Sequence, residues 1–550
     1  MKAGHVQNED GSNYNLDNNT TKDVEPQKIF TEIDKNLDFL KYKYNALICN
    51  DVIIREFSLL AQNIEYKAFV MYIDGMVDSP VINEFILSPL MMRNRANIFD
   101  DKQKKFVSEK KIDNVTLKNF KKSKEKNLVD FIYNSLIPQN SVDKVTDFSD
   151  VYSAINMGNC MLFVDSLDTA FNLDVKGFKQ RNIDSPRNEV VVRGSQEAFV
   201  ENIRTNTSMI RRLVNNENLV METLTVGQIT KTQVSIGYIK SLANEDLVAE
   251  VRYRINNLSV DYLISSGQLE QLIQDSPESL FPQMVATERP DKVSNFLLEG
   301  RVVIVINGSP YVLVAPGVFV DFITSPEDLN LKYQFSNMQK LIRLLAIFLS
   351  LLLPGMYIAI TNYHQELIPT ELLFTIAAAR ESVPFPTFVE ILLMEISFEL
   401  IREAGLRVPT PLGSTIGIVG ALILGEAAVS ASLVSPVLII IIAITGICSF
   451  SIPDFSLNFT FRIYRFIYII LGYVAGFLGI SVVLFIQLVI MCKLKSFGSP
   501  YINPYILNKN KRSISSYFIP PIWKRERTSV FLHAQKKFSQ KKISMVWRKK

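Results

Sequence analysis

A chain of 550 residues is too long for one compact core, and 48% hydrophobic residues with a mean hydropathy of +0.14 suit neither a uniformly soluble nor a uniformly membrane-embedded protein. The formal net charge of +4 averages unequal parts: residues 493–550 hold 15 Lys or Arg against one acid, Glu526, which leaves −10 for everything before them. Cys49, Cys160, Cys448 and Cys492 form no CxxC, His5, His364 and His533 are scattered, and HExxH, GxxxxGK[ST], GxSxG and the kinase motifs are absent. A disulfide framework, a zinc site and the usual hydrolytic or phosphoryl-transfer machinery are thereby excluded; no catalytic, cofactor-binding or metal-binding residue and no cofactor is expected.

Residues 1–29 are rich in Asn, Asp and Thr and lack an apolar core, so they read as a disordered polar start with no signal peptide, left in the cytosol. Residues 30–192 read as a first α/β subdomain. Ala68–Ile73 and Met161–Val164 are its clearest strands, and Ser79–Met92 and Leu128–Leu136 have helical spacing. Residues 193–335 read as a second α/β subdomain. It opens with a helix from an N-cap at Ser195 to Val214, continues with a hairpin of LVMETLTVG and TQVSIGYIK, and ends in a second hairpin, Val302–Ile306 and Tyr311–Val314. Between them, Asp291 is expected to cap a helix running to Glu299, with Arg289 in a surface or interdomain pair.

From residue 336 to 492 the pattern is that of an α-helical multi-span transmembrane domain. Four runs are long enough to span, about 341–361, 412–431, 433–452 and 463–492, and an even number returns the chain to its starting side. The basic tail, 493–550, would by itself permit nucleic-acid binding, but directly behind a hydrophobic helix it marks the cytoplasmic side and contact with lipid headgroups, with no nucleic acid. The exceptional stretch is PFPTFVEILLMEISFELIREAGLRVPTP at 384–411. Glu395, Glu399 and Glu403 recur every four residues with Arg402 beside them, Glu390 falls off that stripe, and apolar residues fill the rest of the wheel. Each charge costs about 2.5–3.5 kcal/mol at a bilayer centre. The helix at about 388–405 is therefore amphipathic, re-entrant or sheltered, its stripe facing water, a partner helix or an aqueous path. Gly413, Gly417, Ala421 and Gly425, and later Gly472 and Gly476, carry the small-residue spacing that lets helices pack closely in lipid, within or between subunits.

Several collinear stretches carry a family resemblance: YIDGMVD (72–78), RGSQEAF (193–199), FPQMVATERPDKV (281–293), LLEGRVVIVINGSP (297–310), the stretch from Pro384 to Gly413, and IVGALILGEAAVSASLVSPV (418–437). Together they resemble the A subunit of the GerA-type spore germinant receptors, over residues 45–495. Departures are DSPRNE in place of an acidic-Pro-x-x-Glu entry, Ser195 and Ala198 in RGSQEAF, and Glu426 where glutamine is commoner. The resemblance implies an α/β cytoplasmic region of two subdomains before a multi-span membrane domain in the spore inner membrane, with both termini cytoplasmic. It further implies a transporter-like, nutrient-binding B subunit and a lipoprotein C subunit as partners, and assembly as a homo-oligomeric, nutrient-gated ion channel without enzymatic activity. Glu395, Glu399, Glu403, Arg402 and Glu426 are the candidate ion path or gate. The competing reading is a membrane-anchored scaffold or signal-transducing subunit that does not conduct.

Overall fold

The computed structural model describes residues 28–61, 64–91, 128–177, 186, 188–407, 423–502, 518–524 and 535. They fall into two compact units, the first built from residues up to 39 with 54–72 and 77–176, the second from 40–53, 73–76 and 177 onwards.

The first unit centres on a five-stranded sheet of β1 (Val52–Ala61), β2 (Ile64–Ile73), β3 (Val142–Val145), β4 (Cys160–Val164) and β5 (Ala170–Leu173), in the order β1-β2-β4-β5-β3. Helix α1 (Ile33–Lys43) precedes β1 and α2 (Phe148–Asn156) precedes β4. The second unit repeats this plan. Helix α3 (Ile203–Leu213) precedes β6 (Leu219–Val226) and β7 (Thr232–Ile239); α4 (Glu245–Asn256) and α5 (Ser266–Ile273) lead to β8 (Val285–Thr287); and α6 (Pro290–Glu299) precedes the hairpin β9 (Val302–Ile306) and β10 (Val312–Ala315). The sheet order is β6-β7-β9-β10-β8, the same permutation.

Details repeat as well. Buried Asn36, the fourth residue of α1, accepts from Phe30 N–H at 3.0 Å and donates to Phe30 O at 2.6 Å; Asn206, fourth in α3, does the same with Val200 at 2.8 and 2.5 Å. Each asparagine closes a loop that would otherwise bury two unpaired backbone groups. Gly158 and Gly300 both end a helix with φ near +90° two residues before a buried strand, a conformation a side chain would resist.

Two local expectations are corrected. Asn202, not Ser195, caps α3, its side chain accepting from Arg204 and Thr205 N–H, so the helix starts at Ile203. Asp291 does not cap α6: Arg289 occupies the N-cap position with Pro290 next, and its guanidinium is fully buried, donating to Glu189 O, Ser195 O and both Asp291 oxygens. Arg289 thus ties RGSQEAF to TERPDKV from inside, rather than pairing at the surface.

The remainder of the second unit is a helix bundle: α7 (Tyr333–Tyr363), α8 (Thr370–Arg380), α9 (Thr387–Arg407), α10 (Pro436–Phe450) and α11 (Phe455–Lys493). By length and composition α7 and α11 are long and apolar enough to cross a membrane. Helix α7 extends about 46 Å at 1.5 Å per residue, and its start is fixed to the sheet domain by Arg343 on Asp328 at 2.8 Å. Helix α11 is not straight. At Gly476 the backbone takes φ 59° and ψ −139°, and a Cβ built on Gly479 would meet Leu471 O, eight residues back. Tyr468 donates to Gln487 at 2.7 Å, although a straight helix would hold them roughly 28 Å apart. The element is a tight helical hairpin, where the sequence suggests one long helix over 463–492.

Both hairpin roots meet the sheet domain: Phe281 packs on Tyr464 (5.5 Å) and on buried Tyr501, and Ser496 Oγ donates to Gln283 O at 2.5 Å. The hairpin tip meets the far end of α7, where Tyr363 donates to Tyr473 O and Val474 O and lines the Gly476 turn. Midway, a Cβ on Gly472 would lie 2.8 Å from Gly355 O, so α7 and the first arm touch backbone to backbone. The run 412–431, with Gly413 and Gly417, lies mostly outside the described residues. Gly425 has open space around it.

Candidate functional site

Helix α9 carries more charge than an apolar helix can leave without partners, and the bundle supplies them. Phe388 stacks on Tyr473 (4.5 Å) near the hairpin tip, which sets α9 antiparallel to the first arm and slides its glutamates past that arm's arginines. Glu395 Oε2 accepts from Arg465 Nη1 at 2.8 Å, with both side chains at least 98% buried. Toward the sheet domain, Glu399 receives Arg462 through two N–H groups and lies 3.8 Å from Arg402. Arg402 reaches across to α10, donating to Ser449 Oγ at 2.6 Å between the rings of Phe398 and Phe450. Toward the tip, Glu390 accepts from Ser435 N–H at 3.1 Å and lies 3.6 Å from Arg380 Nε. The result is a ladder of acid–arginine contacts along one helix.

Of the three directions open to the stripe, the described residues realise the partner helix for Glu395 and Glu399. Glu403 and Glu426 are exposed. Sequence spacing brought Glu395, Glu399 and Arg402 to the ladder but missed Glu390, Arg380, Arg462 and Arg465. The two α11 arginines sit three apart in FRIYRF, a helical spacing that matches two carboxylates four apart, and this was the signal available. Gly446 lies against the Phe398 ring, which seats α10 beside the ladder.

Buried ion pairs hold a structure weakly, because desolvation offsets their attraction, yet leaving one partner alone costs about 3–5 kcal/mol. Here several polar atoms stay without a hydrogen bond among the described residues, including Glu395 Oε1, Arg465 Nε and Arg402 Nε. The ladder is therefore satisfied only in part among the described residues. Outside the bundle, burial in α5 and the nearby Asp454 carboxylate push Glu270 up to about 7. Among the described residues no cluster of His, Cys, Asp and Glu suits a metal ion.

An α/β region joined to a charged, strongly apolar helix bundle defines a sheet-domain protein with membrane-type helices. Residues 38–530 match the family model described as Bacillus/Clostridium GerA spore germination protein. The chain is 37% identical to spore germination protein KA of Bacillus subtilis, over 94% of this chain and 90% of that protein. It is 39% identical to spore germination protein GerLA of Bacillus cereus, over 66% of this chain and 74% of that one. A crystal structure of the N-terminal domain of the A subunit of the Bacillus megaterium spore germinant receptor GerK3 aligns at 29% identity, covering 54% of this chain and 99% of that one with a TM-score of 0.37; the family assignment rests on sequence. The chain belongs to the GerA spore germination family, the A-subunit family of spore germinant receptors.

Proposed function

We propose that this chain transduces nutrient binding into ion release in the spore inner membrane, as a homo-oligomeric cation channel working beside a transporter-like B subunit and a lipoprotein C subunit. Its sheet domains and basic tail lie on the cytoplasmic side, and α7, α9, α10, the α11 hairpin and the apolar run 412–431 make up a multi-pass membrane domain, in which Gly472 and Gly476 pack within the subunit and Gly413, Gly417 and Gly425 pack against a neighbouring one. Family membership supports the setting. The hairpin supports the topology, because both its roots return to the sheet domain.

The observation that carries the mechanism is the ladder of Glu390, Glu395 and Glu399 against Arg380, Arg465 and Arg462 within an apolar bundle. A passive anchor has no reason to bury such charge. In the resting subunit the arginines neutralise the carboxylates. Separation of α9 from the hairpin frees acids four residues apart, which oligomeric symmetry repeats as rings, the arrangement that selects cations. Glu403 and Glu426, exposed in the single subunit, extend the path, and Arg402, held by Ser449, restrains Glu399 in the closed state.

The test is germinant-triggered release of monovalent cations from spores at matched protein level. Glu399→Gln is expected to leak without germinant or to block release, whereas the exchange Glu399→Arg with Arg462→Glu restores regulated release. Wild-type behaviour of both variants would remove the gate and leave a non-conducting signal-transducing subunit.

A further inference from the structure

At the tip end of the bundle, around Glu390, the polar atoms left over are one carboxylate oxygen, three hydroxyl oxygens and Arg380 Nε. Glu390 Oε2 is used by Ser435 N–H, but Oε1 has no hydrogen bond; Arg380 Nε stands 3.6 Å away and is itself without one. Thr387 Oγ1 likewise has no hydrogen bond, and Ser435 Oγ and Tyr357 OH approach one another without making one of standard geometry. The Tyr357 hydroxyl faces Ser435, Glu390 and Arg380, its ring packs in the same apolar cluster as Val434, and Thr387 lies one turn before Glu390 on α9. Thr387, Glu390, Ser435 and Tyr357 are each more than nine-tenths buried. Three buried hydroxyl side chains thus accompany one buried carboxylate, and Arg380, the cation beside that carboxylate, stands at a distance too long for a hydrogen bond.

We infer that Glu390, Thr387, Ser435 and Tyr357 form a binding site for a dehydrated monovalent metal cation, Na⁺ or K⁺, for which Arg380 is the internal competitor. Hard oxygen donors suit alkali and alkaline-earth ions rather than transition metals. A single carboxylate among neutral hydroxyls balances one positive charge, whereas divalent ions take several carboxylates or keep their waters. Arg380 and the entering ion cannot both occupy the carboxylate without repulsion. The Arg380 side chain keeps 27% of its surface outside the subunit's core, so it can leave the carboxylate without crossing that core. Cation entry would then detach α8 from α9 and leave α10 joined to α9 through Ser435.

This site does not depend on the gate reading, because binding is measured on the resting chain. The full-length protein in lipid nanodiscs is melted across a titration of NaCl, KCl or N-methyl-D-glucamine chloride at constant ionic strength. The expected result is a rise in melting midpoint with Na⁺ or K⁺ alone, a half-saturating concentration at least tenfold lower in Arg380→Gln, and no cation response in Glu390→Gln. Thr387→Val and Ser435→Ala, which keep the carboxylate, should raise the half-saturating concentration, and they carry the test if Glu390→Gln does not fold. Equal responses to all three salts, as a site holding only water would give, overturn the inference. So does an unchanged Na⁺ or K⁺ response in Thr387→Val and Ser435→Ala.

Discussion

Replacing Glu395 by Gln removes one charge from the most deeply buried pair of the ladder, and the structure fixes what that costs. Arg465 is 2% exposed, donates to Glu395 through Nη1 at 2.8 Å, and makes no other side-chain ion pair among the described residues. An arginine left there without its counter-ion costs about 3–5 kcal/mol, enough to remove a large share of a typical domain's stability. If Glu395 instead faced an aqueous path, water would already solvate it and the same change would cost about 0–1 kcal/mol. Removing both charges, as Glu395→Gln with Arg465→Met, should recover most of the loss, because no uncompensated charge remains and Met fills a similar volume. The assay is a double-mutant cycle on the full chain in nanodiscs, read by thermal unfolding and by protein level in the membrane. A coupling energy below about 0.5 kcal/mol, the scatter of independent sites, or a double variant no better than Glu395→Gln, would refute the pairing and every step built on the ladder.

Gly472→Leu should abolish accumulation of the protein in the membrane, because even a Cβ there meets Gly355 O at 2.8 Å on the facing helix; normal levels on immunoblots would contradict that backbone contact. Asn206→Ala should destabilise the second sheet domain by about 1–3 kcal/mol, since the N–H and C=O of Val200 both lose their partner, and thermal unfolding of the full chain checks it. Glu270, raised to about 7 in the folded chain, releases its proton at lower pH when unfolded, so its contribution to stability is greatest below about pH 4.5 and is lost as pH rises to about 7. Glu270→Gln should therefore raise the melting temperature at pH 8 while leaving it nearly unchanged at pH 4.5; equal effects at both pH values would contradict the shift.

Much of the α/β region was legible because strand periodicity and turn residues are local. The two hairpins of the second sheet, 219–240 and 302–315, follow directly from alternating apolar runs and Gly308. The duplication of the two sheet domains was not legible. It survives as spacing, FTEIDKN against VENIRTN, in which only the helix-opening isoleucine and the buried asparagine recur, and a pair of residues is too little to announce a repeat. The Gly476 hairpin was hidden for another reason: its two arms share one uninterrupted apolar run, and a single glycine with left-handed φ leaves no mark in hydropathy. The acidic stripe was visible, but not its counter-ions. Arg462 and Arg465 lie 63 and 70 residues downstream of their partners, in what reads as the flank of another span, and only the hairpin brings them to α9.

The central claim is that this chain conducts cations under control of the α9–α11 ladder. The most direct measurement is ion current or Rb⁺ flux through the purified receptor reconstituted in bilayers, comparing wild type, Glu399→Gln, and the Glu399→Arg/Arg462→Glu exchange. A cation-selective conductance that is low at rest, deregulated in the single variant and restored to regulation in the exchange is the result predicted. A receptor that responds to germinant in spores yet passes no current in any of the three forms would contradict the claim.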